Sequence, residues 1–125
     1  MGTNYYWRGP VCPSCGRSEE LHIGKSSAGW CFALHVYPEK GINTLEDWKK
    51  KFREIGSIIF DEYEQLIPPK EMQEIITDRS WATPADDPGD YSEPGPNSLY
   101  RHKMDGQFCI GHGEGTWDLC VGDFT

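Results

Sequence analysis

Apolar and polar residues alternate along two early segments of the chain, residues 21–23 and 30–36. A polar segment with a glycine at each end separates them, and this pattern predicts two antiparallel strands joined by a hairpin loop. Successive side chains of a strand point to opposite faces of the sheet. His22, Cys31 and His35 are therefore expected to share one face, away from the apolar side chains.

Two later segments show the period of a helix. Thr44 precedes Asp47 by three residues, a spacing close to that of a helix-capping box. A second helix is predicted to begin at Pro68-Pro69, because the first turn of a helix tolerates proline, and to end near Arg79. The first helix is expected to bury one stripe of apolar side chains, formed by Leu45, Trp48, Phe52 and Ile55.

The last quarter of the chain returns to strands joined by glycine-containing turns. Asp105-Gly106 predicts one hairpin, with a bulge in its register, and residues 113–115 predict a second. The register expected from matching the faces of the strands pairs His102 with Ile110, Ile110 with Leu119, and Cys109 with Cys120.

These elements predict one α+β domain over residues 1–125. We expect an antiparallel sheet of about five or six short strands, two helices on one face, and an N-terminal zinc knuckle. Short aromatic or β-branched runs at residues 5–7 and 57–60 supply two of the strands. A chain of 125 residues matches one domain of ordinary size. Its 14 glycines and 9 prolines favour turns and short strands over a helical bundle.

The chain is acidic, with 20 Asp and Glu against 12 Lys and Arg and a net charge of -8. This balance disfavours a nucleic acid as partner, because phosphate backbones repel an acidic surface. Residues 84–97 contain four of the acids, no base and no periodicity, and predict an exposed acidic loop. The chain contains no apolar run long enough for a membrane span and no secretory leader pattern, so we expect a cytoplasmic protein.

Cys12-Pro-Ser-Cys15 is the strongest chemical signal in the sequence. A Cys-x-x-Cys turn commonly supplies two of the four tetrahedral ligands of a zinc ion, and strands elsewhere supply the other two. Our first choice for the second pair is His22 and His35, which strand parity places on one face. Cys31 is the alternative to His35, and a cross-strand pair of Cys109 and Cys120 is a more distant one.

Three other chemical interpretations of the sequence lack a residue, an element or a spacing that the chemistry needs. Residues 24–27 (GKSS) resemble the end of a phosphate-binding loop, but the motif needs a glycine where Glu19 stands and a helix afterwards. Cys12 and Cys15 do not match a redox-active Cys-x-x-Cys site, because such a site lies at the start of a helix and no helix is predicted after them. An acid–base set can be assembled from polar residues near the C-terminus, but nothing in their spacing supports catalysis; its members are His102, His112, Asp105, Glu114 and Asp118.

Residues 1–6 (MGTNYY), 12–17 (CPSCGR) and 21–30 (LHIGKSSAGW) together resemble a group of small uncharacterised proteins encoded by tailed phages and prophages. The resemblance is specific over about the first thirty residues and includes Cys12, Cys15 and His22, whereas His35 lies outside it. It implies a phage-derived accessory protein acting in the cytoplasm of a bacterial host cell, and it implies no enzymatic activity.

Charge and resemblance together predict a non-enzymatic protein that binds, and thereby inhibits, a host or defence-system protein. The acidic loop is the expected contact with a basic surface of that partner. One alternative is a zinc-containing nucleic-acid-binding protein that uses Arg8, Arg17 and Lys25. A second alternative is a small metal-dependent hydrolase, which would require an open position on the zinc ion.

Overall fold

A six-stranded sheet and two helices form the body of the protein in the computed structural model, which describes residues 2–79, 92–122 and 124. The helices are α1 (Leu45–Phe52) and α2 (Pro69–Thr77). The strands, in chain order, are β1 (Gly2–Arg8), β2 (Glu20–Ser27), β3 (Phe32–His35), β4 (Ile58–Asp61), β5 (Ser92–Pro94), β6 (Tyr100–His102), β7 (Cys109–His112) and β8 (Trp117–Cys120).

The predicted α+β class is confirmed, and so is the number of strands in the main sheet. Its strand order is β4-β1-β2-β3-β8-β7, while β5 and β6 form a separate two-stranded ribbon. The sheet is mixed rather than purely antiparallel, because β8 pairs with β3 in parallel. A parallel pair requires a long connection between its strands, and here that connection contains both helices.

Both helices pack on one face of the sheet, as predicted. The buried side chains between them come from α1, α2 and alternate positions of the strands. Trp48 of α1 is fully buried, and its indole N–H donates to the backbone oxygen of His35 at 2.7 Å. Ile55 does not join the stripe and is 95% exposed, because α1 ends at Phe52. Thr44 caps α1 as predicted, accepting from the backbone N–H of Asp47 at 3.2 Å.

The opposite face of the sheet, called the histidine face below, carries most of the polar chemistry. Leu21, Ile23, Phe32 and Leu34 belong to the core beneath the helices, so the residues that alternate with them face the other way. The β5–β6 ribbon contacts this face through Glu93 of β5 and through Arg101 and His102 of β6. The residues of the histidine face that matter below include His22, Ala33, His35, Cys109, His112, Asp118 and Cys120.

The C-terminal register was predicted only in part. Cys109 lies opposite Cys120, as expected. His102 does not pair with Ile110, because β6 pairs with β5 instead. Ile110 does not pair with Leu119 either, because a bulge places Gly111 opposite Leu119.

Residues 84–91 of the predicted acidic loop lie outside the described part of the chain. Residues 92–97 of that loop form β5 and the start of a 3-10 turn. None of the helices in the described residues is long and apolar enough to span a membrane.

Candidate metal centre

A β-bulge in β7 determines which side chains reach the histidine face. Cys109 lies opposite Cys120 and His112 lies opposite Asp118, because the register shifts by one residue between Cys109 and Gly111. Without that shift His112 would point away from Cys109, since side chains alternate along a strand. The bulge therefore brings Cys109, His112 and Asp118, called the Asp118 cluster below, to one face.

The three potential ligand atoms of the Asp118 cluster converge. Cys109 Sγ lies 3.9 Å from His112 Nδ1, which lies 2.8 Å from Asp118 Oδ1. All three atoms are within 4.8 Å of one another, and no other group of three His, Cys, Asp or Glu side chains in residues 2–79, 92–122 and 124 meets that limit. Bonds of about 2.0–2.3 Å to a tetrahedral zinc ion place ligand atoms about 3.3–3.7 Å apart. Small shifts would bring the cluster to that geometry.

Asp118 is a fully buried carboxylate held by donors from β6. Arg101 Nε donates to Oδ1 at 3.0 Å, the backbone N–H of His102 donates to Oδ2 at 2.9 Å, and His102 Nδ1 lies 3.1 Å from Oδ2. Burial alone would raise the pKa of Asp118, but the hydrogen bonds from His102 and Arg101 outweigh it and lower the pKa below its ordinary value. Asp118 is therefore an anion at neutral pH.

His112 has a carboxylate oxygen at each of its ring nitrogens. Nδ1 is 2.8 Å from Asp118 Oδ1, and Nε2 is 2.8 Å from Glu93 Oε1. A neutral imidazole carries only one N–H and can donate to only one of the two carboxylates, so a metal ion at Nδ1 would supply the missing contact with Asp118. With a metal ion at Nδ1, Nε2 would keep its hydrogen and donate to Glu93, the outer-shell contact that metal-bound histidines usually make.

The two cysteines of the C-terminal hairpin are buried thiols. Burial, followed by the negative charge of Asp118, raises the pKa of Cys109, and burial also raises the pKa of Cys120. Cys109 Sγ donates to the backbone oxygen of Gly111 at 3.4 Å. A buried thiol of this kind ionises beside a compensating cation, and metal binding releases its proton. Cys109 would then become a thiolate ligand in place of a thiol donor.

The geometry differs from that of a nucleophilic Cys–His–Asp triad. In such a triad the histidine contacts the nucleophile through one ring nitrogen and the acid through the other. In the Asp118 cluster, Cys109 and Asp118 both approach Nδ1 of His112, and Glu93 occupies Nε2. Because Cys109 and Asp118 approach the same nitrogen of His112, one cation can contact all three side chains.

The four predicted zinc ligands lie in two parts of the fold. Cys12 and Cys15 are on the exposed turn between β1 and β2, where hydrogen bonds from the backbone of Ser14 and Cys15 lower the pKa of Cys12. His22 and His35 meet on the histidine face with their Nδ1 atoms 3.0 Å apart, in line with strand parity. The group of ligand atoms within 4.8 Å contains none of these four residues. A zinc site shared by all four stays a prediction.

The alternative ligands are also placed. Cys31 is buried, and burial, followed by the charge of Asp118, raises its pKa to about 11. Cys109 and Cys120 are the cross-strand neighbours that the sequence predicts, and Cys109 belongs to the Asp118 cluster.

Sequence reasoning missed the combination of a thiol with two members of the acid–base set. The structure brings His102, His112 and Asp118 of that set together, whereas Asp105 caps its own turn by accepting from the backbone of Phe108 at 2.8 Å. The available signal was the Cys-x-x-His spacing from Cys109, with a glycine at 111, a residue that often marks a bulge in a strand.

No protein-family model, no curated protein and no solved structure matches this chain. The chemistry of the Asp118 cluster is therefore argued from its own geometry.

Proposed function

We propose that the protein is a zinc protein in which Cys109, His112 and Asp118 hold one ion. The carrying observation is that His112 Nδ1 faces both Asp118 Oδ1, at 2.8 Å, and Cys109 Sγ, at 3.9 Å. A mixed set of one sulfur, one nitrogen and one oxygen suits zinc, which binds cysteine, histidine and carboxylate ligands. Magnesium and calcium prefer oxygen ligands alone.

The role of this ion is structural rather than catalytic. Cys109 and Asp118 are fully buried, and the β5–β6 ribbon covers them through contacts from Arg101, His102 and Glu93. Three protein ligands leave the fourth zinc position to a water molecule, as in catalytic sites, but a catalytic site must also admit a substrate, and Cys109 and Asp118 are 0% exposed. The burial of two ligands supports an ion that joins the hairpin of β7 and β8 to the ribbon.

The protein as a whole acts by binding, as a phage or prophage accessory protein in the cytoplasm of a bacterial host cell. Its partner is a host or defence-system protein with a basic surface. The support is the net charge of -8, the four acids at residues 86–93, and the resemblance of the first thirty residues to small phage proteins. The metal centre holds Glu93, at the end of this acidic stretch, against the fold.

Metal analysis of the purified protein tests the zinc proposal. We expect about one zinc ion per chain in the native protein and loss of zinc in Cys109→Ser, because the only sulfur ligand is removed. Cys12→Ser is the matched control, since it removes a thiol of the other candidate site. Retention of zinc in Cys109→Ser together with its loss in Cys12→Ser would overturn the proposal in favour of the knuckle.

Capture of partners from a bacterial lysate tests the binding proposal. A triple variant with Asp86→Asn, Asp87→Asn and Asp90→Asn should lose the partner. A control with Glu39→Gln, Glu64→Gln and Glu74→Gln changes the net charge equally and should keep it. Equal capture by both variants contradicts a role for the acidic stretch, and a nucleic acid as the captured partner contradicts the protein-binding proposal.

A further inference from the structure

The histidine pair, as we call His22 and His35 below, brings the two Nδ1 atoms of its rings together. Their Nδ1 atoms are 3.0 Å apart, which is hydrogen-bond distance. One of the two nitrogens must therefore carry the proton while the other accepts it. The neighbouring hydrogen bonds decide which one.

Asn4 fixes the proton of His22 on Nε2. The amide of Asn4 is oriented by Glu62, whose Oε1 accepts from the Asn4 backbone N–H at 2.8 Å and lies 3.4 Å from Nδ2. The oxygen Oδ1 of Asn4 therefore faces His22 Nε2, at 2.9 Å, and accepts its hydrogen. Nδ1 of His22 is left with a lone pair directed at His35.

Tyr37 supplies a second electron-pair donor at the same point. Its hydroxyl accepts from the backbone N–H of His22 at 3.1 Å and donates to the backbone oxygen of His22 at 3.2 Å. The hydroxyl oxygen lies 3.3 Å from His35 Nδ1. Two lone-pair donors, one imidazole and one phenol, thus surround a single proton on His35 Nδ1.

The histidine pair borders a solvent-accessible groove of about 430 Å³. Tyr6, Tyr37 and Phe124 contribute aromatic walls to this groove. Phe124 lies over both imidazoles, with ring centroids 4.8 Å from each. A small ion can reach the pair from the groove, whereas Cys109 and Asp118 of the Asp118 cluster are fully buried.

We propose that the histidine pair is a second metal site, for a divalent late transition metal that prefers imidazole, such as nickel or copper. The ion binds the lone pairs of both Nδ1 atoms from beside the line that joins them, in place of the proton that they share, and each neutral imidazole then carries its hydrogen on Nε2. Two nitrogens in neighbouring positions of a square-planar or tetragonal ion lie about 2.8–3.0 Å apart at bond lengths of about 2.0–2.1 Å, in agreement with the 3.0 Å observed. The bond from His22 Nε2 to Asn4 is the outer-shell contact that orients a metal-bound histidine.

Titration of the full-length, zinc-loaded protein with Ni²⁺, followed by NMR, tests this site. We expect one Ni²⁺ per chain, with paramagnetic broadening first at the ring signals of His22, His35, Tyr37 and Phe124. Broadening that begins at His112, or at the residues around Cys12 and Cys15, overturns the proposal without the need for any variant.

Variants add an affinity measurement. His35→Gln should weaken Ni²⁺ binding at least about tenfold, and Asn4→Ala should weaken it by about 10- to 100-fold because the outer-shell contact is lost. Cys109→Ser and Cys12→Ser serve as controls and should bind Ni²⁺ as the native protein does. Unchanged affinity in folded His35→Gln, or loss of binding in Cys12→Ser, contradicts the assignment.

Discussion

The Asp118 cluster and the histidine pair lie on the same face of one sheet, and β3 and β8, which carry His35 and Cys120, are paired neighbours. Both contain imidazoles within hydrogen-bond distance of another group, but the imidazole of the cluster contacts carboxylates, whereas those of the pair contact an amide and a phenol. The cluster surrounds a buried anion with donors from Arg101 and His102. The pair contacts two neutral groups, the amide of Asn4 and the hydroxyl of Tyr37, and it faces a groove.

This difference determines how each region responds to a proton or a metal ion. The carboxylates of Asp118 and Glu93 lie at the two ring nitrogens of His112, and their negative charge attracts a metal ion to this region. At the pair, burial and then the neighbouring imidazole of His35 lower the pKa of His22 from 6.5 to about 4. A histidine is thus a cation site or a proton-excluding site according to the charges around it.

The largest effect is expected from removing the buried anion. Asp118→Ala should lower the free energy of unfolding by about 3–5 kcal/mol, because it leaves the buried donors of Arg101 and His102 without their acceptor. Urea unfolding of the metal-free protein measures this change. Glu114→Gln, an exposed acid on the same hairpin, is the control and should change stability by less than about 0.5 kcal/mol. A similar cost for both substitutions would show that Asp118 does not organise the cluster.

A smaller loss is expected from distorting the hairpin that builds the cluster. A Cβ atom at Gly113 would clash with the indole of Trp117, whereas one at Gly111 would lie 3.7 Å from Leu119, an ordinary contact. Gly113→Ala should therefore cost about 1–3 kcal/mol through overpacking, and its zinc content should fall. Gly111→Ala is the matched control on the same strand and should keep its zinc. Equal zinc content in the two variants would show that zinc binding does not depend on the conformation of the hairpin.

The pH dependence of stability tests the histidine pair. Between about pH 6.5 and pH 4 the unfolded chain binds a proton at His22 that the folded protein excludes. The free energy of unfolding should therefore fall as the pH is lowered through this window. We expect a loss of about 1–2 kcal/mol after allowance for the partial exposure of His22. Urea unfolding of native protein and His22→Gln in EDTA measures it, and an equally steep decline in the variant contradicts the assignment.

The smallest effect is expected at the exposed cysteine turn. Cys12 and Cys15 are exposed, and all five cysteines are free thiols. Cys12→Ser should leave the urea midpoint of the zinc-loaded protein unchanged, because the ion that we propose lies elsewhere. A clear drop in the midpoint that disappears in EDTA would instead show that the turn holds a structural ion.

Much of the fold could be predicted because it depends on local patterns. Strand parity placed His22 and His35 on one face, and the spacing of Leu45, Trp48 and Phe52 identified the buried side of α1. The parallel pairing of β8 with β3 could not be predicted, because it joins residues about eighty positions apart that share no local signal.

The candidate site was not predicted because the one-residue bulge between Cys109 and Gly111 was not expected. The predicted register put His112 on the face opposite to Cys109, and the bulge between Cys109 and Gly111 reverses that direction. The Cys-x-x-Cys turn was the stronger sequence signal because its spacing is local. The ligands of the Asp118 cluster come together only after β7 and β8 have paired.

X-ray absorption at the zinc edge of the native protein tests the central claim most directly, because it counts the sulfur ligands without any substitution. The Asp118 cluster predicts one sulfur at about 2.3 Å, with the remaining ligands being nitrogen or oxygen at about 2.0–2.2 Å. Two sulfurs and two nitrogens around the ion would contradict the account, and would place the zinc ion at Cys12, Cys15, His22 and His35.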